Sequence, residues 1–252
     1  MELFKQLVLI ITILAFFYIN HGAMAYDHEE FSYTVGAWNG PDHWGDIRKD
    51  WETCKIGHSQ SPVRIDDKKC ELVYQPEDLK WSYHPKNAVM KNLGHNIVIE
   101  WEDVVGAVWI NKTEYPLKQV HWHTPSENII NGKQFDLEVH LLHQRTTDQQ
   151  MAMVSFLYEV GAPDPFFTKV EKHIRTISKK IDAKVDIGNI DPMEIIRKFG
   201  KYYYRLKGSI TIPPCTEGVT WTINKKIRTI SIEQLNLLKD AAIAGYEKNA
   251  TF

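Results

Sequence analysis

The spacing of hydrophobic and polar positions changes character along the chain. From about residue 79 to residue 158, short segments rich in β-branched and aromatic residues are separated by turn signals such as Asn131-Gly132. This pattern predicts a succession of β-strands. From Pro165 to Ile181, apolar residues recur at steps of three and four, which predicts an amphipathic helix.

The remaining segments predict peripheral structure. Asp191 to Phe199 reads as a short helix that opens with Asp-Pro, and Ser231 to Tyr246 reads as a helix capped by Ser231. The stretch from Tyr26 to about Cys70 is loop-like. We therefore expect a mostly β protein with a few peripheral helices.

The first 25 residues predict a secretory signal peptide rather than part of the fold. Lys5 precedes an almost wholly apolar run from Leu7 to Ile19, and Ala23-Met24-Ala25 supplies small residues for cleavage. A run of thirteen residues is too short to span a bilayer comfortably, although an uncleaved anchor is the alternative. We expect a signal peptide over 1–25, one domain over 26–252, and a secreted or endomembrane-lumenal protein.

Length and charge narrow the class further. The chain has 252 residues, 43% of them hydrophobic, which suits one substantial core. The formal net charge is −2 and the basic residues are scattered. No strong electrostatic field is expected, so nucleic acid and anionic membrane are excluded as expected partners.

Three cysteines would meet an oxidising compartment after secretion. Cys54, Cys70 and Cys215 allow one disulfide and one free thiol, and the sequence alone leaves all three pairings open. Asn111 and Asn249 each begin an Asn-x-Thr triplet and are candidate glycosylation sites.

Two histidine-bearing segments predict a metal site. His121 and His123 lie two residues apart in a predicted strand, so their side chains share one face. His140 lies in a second predicted strand, which a turn at Asn131-Gly132 would place antiparallel to the first. Three neutral imidazoles suit zinc in a tetrahedral shell with water at the fourth position.

Polar neighbours are placed to orient these ligands. Gln119 shares the face of His121, and Glu138 shares the face of His140, so each can accept the second ring N–H of its histidine. His143 falls on the opposite face and is expected to be structural.

A cupin barrel is the competing interpretation of this segment. Cupins also combine His-x-His with a following glutamate, and here Glu127 would be a ligand of iron or manganese. The glycines and the distant Pro-x-Gly-x-x-His of that pattern are missing near the expected spacing, which counts against it.

Several longer motifs carry a resemblance to a known family. They are Asn39-Gly40-Pro41-Asp42-His43-Trp44-Gly45, Gln60-Ser61-Pro62, Gly94-His95, the segment from Gln119 to Glu127, Glu138-Val139-His140, and the segment from Gly208 to Glu217 followed by Val219-Thr220-Trp221. In these motifs, over almost all of residues 26–249, the chain resembles the α-carbonic anhydrases and is most similar to plant secreted members.

The resemblance implies a large twisted, mostly antiparallel sheet with the metal in a cleft at its middle. It implies that His121, His123 and His140 bind Zn²⁺, and that the activity is reversible hydration of CO2 to bicarbonate and a proton. A catalytically silent storage or binding protein of the same family is the alternative. It also implies a disulfide between Cys54 and Cys215, which leaves Cys70 free.

Further roles follow from the same resemblance. His95 would shuttle protons, and Thr211 would accept a hydrogen bond from the zinc-bound hydroxide while donating its own proton to Glu127. Asn249 matches a residue whose carbonyl supports His123. The CO2 pocket would be formed by six side chains, which are Leu142, Met153, Ile210, Ile212, Val219 and Trp221.

Some positions depart from the usual family pattern. Met153 and Leu142 are larger than the common Val, so we expect a slower enzyme. Asn128 and Leu206 replace a frequent His and Tyr of a buried hydrogen-bond network, so we expect Glu138 to be held less firmly. Relatives continue beyond the position of Asn249, so the chain is expected to be truncated at its C-terminal end.

Overall fold

The structure, a computed structural model, describes residues 31–71 and 78–241. Fourteen strands dominate it. In chain order they are β1 (Arg64–Ile65), β2 (Leu79–Tyr83), β3 (Lys86–Asn92), β4 (Ile97–Trp101), β5 (Gly106–Ile110), β6 (Thr113–His123), β7 (Ile129–Ile130), β8 (Lys133–Gln134), β9 (Leu137–Gln144), β10 (Met151–Val160), β11 (Lys184–Ile190), β12 (Tyr203–Ser209), β13 (Glu217–Asn224) and β14 (Arg228–Ile230).

The helices are short and peripheral. The α-helices are α1 (Trp44–Ile47), α2 (Thr53–Ile56), α3 (Pro165–Ile177), α4 (Met193–Ile196) and α5 (Ile232–Ala241), and 3₁₀ turns cover Pro41–His43, Lys49–Trp51 and Asp67–Lys69. The prediction of a mostly β fold with a few peripheral helices is confirmed.

Eleven strands form one large sheet with β6 and β9 at its centre. Its main path runs β11-β3-β4-β6-β9-β10-β13-β12, with β2, β5 and β14 attached beside it. The pairs of β10 with β13 and with β14 are parallel, whereas the other pairs of this sheet are antiparallel. The path has two ends and does not close on itself, so the cupin-barrel alternative is wrong.

Helix α3 follows the predicted period but ends four residues earlier than Ile181. Asp164 accepts a hydrogen bond from the backbone N–H of Phe166 and caps the start. Ser178 leaves the helical conformation, and Lys179 then adopts a left-handed φ of 57°. Ile181 therefore lies in the following turn and is 40% exposed.

The last helix begins as predicted at its capping serine. The backbone N–H of Gln234 donates to Ser231 Oγ, and Gln234 Oε1 accepts from the backbone N–H of Ser231. This reciprocal pair is a capping box. The rest of that predicted helix, up to Tyr246, lies outside the described residues.

The segment before β2 is less loop-like than predicted. Gly40-Pro41 starts a series of single helical turns, because proline is well placed at the first position of a helix. The predicted signal peptide over 1–25 lies outside the described residues. Within the described part of the chain, no helix has the length and apolar character needed to cross a membrane.

The two faces of the central strands carry different side chains, apolar core residues on one face and the histidines on the other. Val120, Trp122, Val139 and Leu141 belong to the largest apolar cluster, which also contains the buried apolar residues of α3 and α5. His121, His123, Glu138 and His140 alternate with them and point to the other face. The helices thus cover one side of the sheet and leave the histidines on the other.

A disulfide joins two distant segments. Cys54 in α2 is bonded to Cys215, 161 residues later, with an S–S distance of 2.07 Å. Cys70 is an exposed free thiol. Of the three pairings that the cysteine count left open, the structure contains the one that the family resemblance implied.

Removing this bridge will destabilise the protein, because it closes a long loop. The chain-entropy account credits such a loop with at most about 5 kcal/mol, so we expect Cys54→Ser/Cys215→Ser to lower the free energy of unfolding by about 2–5 kcal/mol. Urea unfolding measures this loss. The control is Cys70→Ser, which should unfold like the wild type, and an equally stable double variant would contradict the expectation.

His143 is structural, as its position on the core face predicted. It is fully buried, and its Nε2 lies 2.7 Å from the hydroxyl of Tyr83. Burial lowers the pKa of His143 from 6.5 to about 3. The folded protein therefore holds this imidazole neutral where the unfolded chain would already protonate it.

This difference predicts a pH-dependent contribution to stability. The contribution is fully present above pH 6.5 and is lost as pH falls towards 3, because the unfolded state binds the proton first. The stability advantage of wild type over His143→Gln should therefore shrink on acidification, by up to about 1.4 kcal/mol per pH unit. Urea unfolding of both proteins between about pH 7 and pH 5 tests this expectation, and a constant difference would contradict it.

Candidate metal centre

The pairing of β6 with β9 brings the three histidines together. The strands are antiparallel, and the register sets His121 directly opposite His140 and His123 opposite Glu138. A bulge between Leu117 and Gln119 shifts the register just before the His-x-His segment. Adjacent strands thus present all three imidazoles on one face.

The imidazoles are close enough to share one ion. One nitrogen from each of His121, His123 and His140 lies within 4.8 Å of the others. His140 Nδ1 and His121 Nε2 are 3.3 Å apart. Zinc–nitrogen bonds of about 2.0–2.1 Å at tetrahedral angles place two ligand nitrogens about 3.3 Å apart. The donor set and this spacing fit zinc.

The surroundings favour the neutral, metal-binding form of His121 and His123. All three are buried, with exposed fractions of 8%, 2% and 0% for His121, His123 and His140. Burial, followed by the charge of His140, lowers the pKa of both His121 and His123 well below 6.5. Deprotonated imidazoles are the form that binds metal, so the site favours ligation at neutral pH.

Glu138 is positioned to orient His140. Its fully buried Oε1 lies 3.0 Å from His140 Nε2, in a bent contact. Burial raises the pKa of Glu138, but the charge of His140 and hydrogen bonds from His140, Ser155 and the Asn128 backbone outweigh burial and leave it below the ordinary value. The site therefore keeps Glu138 ionised beside the ligand.

Asn128 holds Glu138 firmly, contrary to our expectation. Asn128 Nδ2 donates to Glu138 Oε1 at 2.6 Å, and the backbone N–H groups of Glu127 and Asn128 donate to Oε2 at 3.0 and 2.9 Å. A donor amide here replaces the expected imidazole, so the network is rebuilt rather than lost. Leu206 lies against an apolar cluster instead.

Ser155 also holds the Glu138 carboxylate, a contact that the sequence did not predict. Its hydroxyl donates to Glu138 Oε1, and Ser155 lies opposite His140 in the β9–β10 register. Strand alternation places Ser155 on one face of β10, but predicting its contact with Glu138 also requires the register between β9 and β10.

Gln119 was predicted to accept a hydrogen bond from His121, and that bond is not seen. Within the described segments neither Gln119 Oε1 nor His121 Nδ1 makes a hydrogen bond. Its role stays a prediction, and Asn249 lies outside the described residues.

Glu127 and Thr211 are both buried next to the histidines. Glu127 Oε1 lies 3.4 Å from His123 Nδ1. Burial and the charge of Glu138 raise the pKa of Glu127 well above 4.5, and the Thr211 hydroxyl opposes this rise. Among the described residues neither Glu127 oxygen has a hydrogen bond of ordinary geometry, so Thr211 lies near Glu127 without completing one.

His95 lies near the cluster but is not a surface residue. It is 6% exposed, and its ring centroid lies 5.5 Å from that of Phe31. Its charge contributes to lowering the pKa of His121 and His123, after larger contributions from burial and neighbouring histidines. The sequence around Gly94-His95 did not predict this contact, because Phe31 is distant from His95 along the chain.

An apolar cluster borders the histidines. Met153, Val219 and Trp221 are buried in it, and Leu142 and Ile210 pack against it. The ring of Trp221 lies 5.1 Å from that of His140. Ile212 packs instead in the cluster around Cys215, so five of the six predicted pocket residues lie together.

Comparison with known proteins gives a consistent result. The family model described as "Eukaryotic-type carbonic anhydrase" matches residues 39–250. Alpha carbonic anhydrase 7 of Arabidopsis thaliana is 40% identical over 92% of this chain and 83% of its own length. Dioscorin DB3L of Dioscorea polystachya is 39% identical over 89% of this chain and 82% of its own length.

A solved structure agrees in fold. Dioscorin complexed with ascorbate superposes with a TM-score of 0.80 and 38% identity, covering 85% of this chain and 89% of that chain. The region matched by the family model contains every strand of the sheet that carries the histidines and every helix described above. The chain therefore belongs to the family of eukaryotic-type, or alpha, carbonic anhydrases.

Proposed function

We propose that this protein binds Zn²⁺ through His121, His123 and His140 and catalyses the reversible hydration of CO2 to bicarbonate and a proton. The observation that carries the proposal is the buried cluster of three imidazoles, with a ligand spacing that fits a tetrahedral ion. Glu127, Thr211 and an apolar cluster lie beside it.

Zinc bound there would supply a Lewis acid that lowers the pKa of water to about 7, for which carbonic anhydrase is the established example. The chain prepares the ligand atoms for it. An ionised Glu138 beside His140 Nε2 favours a proton on that nitrogen and so leaves the Nδ1 lone pair directed towards His121 Nε2.

Thr211 and Glu127 would orient the attacking oxygen. If the Thr211 hydroxyl donates its proton to Glu127, Thr211 Oγ1 remains only as an acceptor and turns the proton of the nucleophile away from CO2. This requires Glu127 to be ionised. Burial raises the pKa of Glu127. A Zn²⁺ ion held by the three histidines would oppose that rise, because a nearby positive charge favours the carboxylate.

The apolar cluster would hold CO2, and His95 would remove the proton. Met153, Val219 and Trp221 offer a water-excluding surface next to His140, which suits a small apolar substrate. His95 lies close enough to influence the metal ligands, and an imidazole can exchange protons near neutral pH. It would pass the released proton to buffer.

A second candidate function is a storage or binding protein without turnover. The similarity to the solved dioscorin favours it, because that structure holds ascorbate and superposes on this chain with a TM-score of 0.80. The complete histidine cluster supports the enzyme over this alternative.

The proposed setting is a secretory compartment. The Cys54–Cys215 disulfide supports an oxidising environment, as does the apolar leader proposed for residues 1–25. There Asn111, exposed in the turn between β5 and β6, would be a glycosylation site.

Stopped-flow CO2 hydration by the purified, zinc-loaded protein tests the enzymatic proposal. We expect catalysis above background, abolished by a zinc chelator and restored by added zinc, because ligation supplies the nucleophile. His121→Ala is the control for chelator effects outside the site. Background rates from a zinc-loaded wild type would contradict the proposal and favour the binding role.

His95→Ala tests proton transfer separately. If His95 passes protons to buffer, the variant should turn over more slowly than the wild type in dilute buffer, by about tenfold or more. Concentrated small buffer should restore most of the rate. Steady-state rates over a range of buffer concentrations provide the measurement, and an equal loss at every concentration would rule out a shuttle.

A further inference from the structure

We propose that Ser155 and Asn128 are positioning residues that set the strength of zinc binding by fixing the carboxylate of Glu138. The proposal rests on the metal-binding part of the proposed function and is independent of CO2 hydration. It concerns two side chains that are neither among the three metal ligands nor among the predicted pocket residues.

The Glu138 carboxylate is held at both oxygens. Oε1 accepts from Asn128 Nδ2 and from the Ser155 hydroxyl, and Oε2 accepts from the backbone N–H groups of Glu127 and Asn128. Glu138, Asn128 and Ser155 have exposed fractions of 0%, 1% and 0%. Water therefore does not compete for these bonds.

The two side chains approach from different parts of the fold. Ser155 comes from β10 and lies opposite His140, on the face that carries the ligands. Asn128 comes from the segment after β6, and its Oδ1 accepts from the backbone N–H of Val63 at 3.0 Å. The Asn128 amide is thus fixed at both ends, which determines where its N–H groups point.

Oε1, the oxygen that both side chains fix, also faces His140. It lies 3.0 Å from His140 Nε2, while Nδ1 of the same ring lies 3.3 Å from His121 Nε2. A rotation of the Glu138 carboxylate would therefore turn the His140 ring and move Nδ1 away from the other ligands. Zinc binding would then have to fix the orientation of the His140 ring, which Ser155 and Asn128 otherwise fix before the metal binds.

Two opposing effects decide the direction of a mutation. Losing a donor to Oε1 leaves more negative charge for His140, which tightens metal binding, but it also frees the carboxylate to rotate. Because Oε1 keeps at least one other donor in each single variant, the electronic gain is small. We expect the loss of orientation to prevail, by about tenfold in affinity, the lower end of the range for such outer residues.

The experiment compares Ser155→Ala with Thr222→Val. Thr222 is an equally buried hydroxyl on the neighbouring strand β13, and its Oγ1 has no partner among the described residues. Zinc affinity of the metal-free proteins is measured by competition with a chromophoric chelator. The zinc dissociation rate and the Tm of the metal-free proteins are measured in parallel.

The expected result is about tenfold weaker zinc binding and faster zinc release for Ser155→Ala, with Thr222→Val within about twofold of wild type. Asn128→Ala, the second variant, should weaken binding at least as much. It should also lower the Tm of the metal-free protein, because Val63 N–H loses its acceptor.

Unchanged or tighter zinc binding by Ser155→Ala and Asn128→Ala would overturn the proposal, even if the metal-free Tm fell, since that pattern indicates only a structural role. A wild type that binds zinc tightly yet does not hydrate CO2 would remove the proposed enzymatic function. The affinity comparison would still decide this proposal.

Discussion

The buried carboxylate of Glu138 is the constraint around which the site is organised. An ionised carboxylate with no exposed surface is tolerated only if hydrogen bonds and charge compensate for the water that it has lost. Here β10, the segment after β6 and the backbone of that segment all supply donors. Meeting the needs of one side chain therefore fixes two parts of the chain, β10 and the segment after β6, relative to His140.

The asymmetry of the sheet explains why this charge can sit at the centre of the molecule. Helices α3 and α5 pack on one face and bury a continuous apolar cluster there. On the opposite face, the described strands carry polar side chains, which are tolerated there because they satisfy one another. Strand alternation separates the two environments residue by residue, with Val139 and Leu141 on one side and Glu138 and His140 on the other.

Much of this arrangement was predictable from local pattern, and the remainder depends on contacts between distant segments. The period of two placed His121 and His123 together and His143 apart from His140, and the structure agrees. The contribution of Ser155 depends on the β9–β10 register, and that of Asn128 depends on the path of the chain past Val63. Neither is encoded within a few residues of the position itself, nor is the packing of Phe31 against His95. We expected a weakened network at Asn128, which replaces the usual His, because the sequence does not show where the N–H groups of an asparagine side chain point.

The bulge before Gln119 divides β6 into two parts with different tolerance to change in chain length. The N-terminal part pairs with β5 in a hairpin at the margin of the sheet, whereas the part after the bulge pairs with β4 and β9. A residue gained or lost in the hairpin can be absorbed where the register already shifts. The same insertion or deletion between Gln119 and His123 would turn alternate side chains to the opposite face and scatter the ligands. During divergence of such chains, length variation should therefore accumulate in the hairpin and be purged from the five residues that follow the bulge.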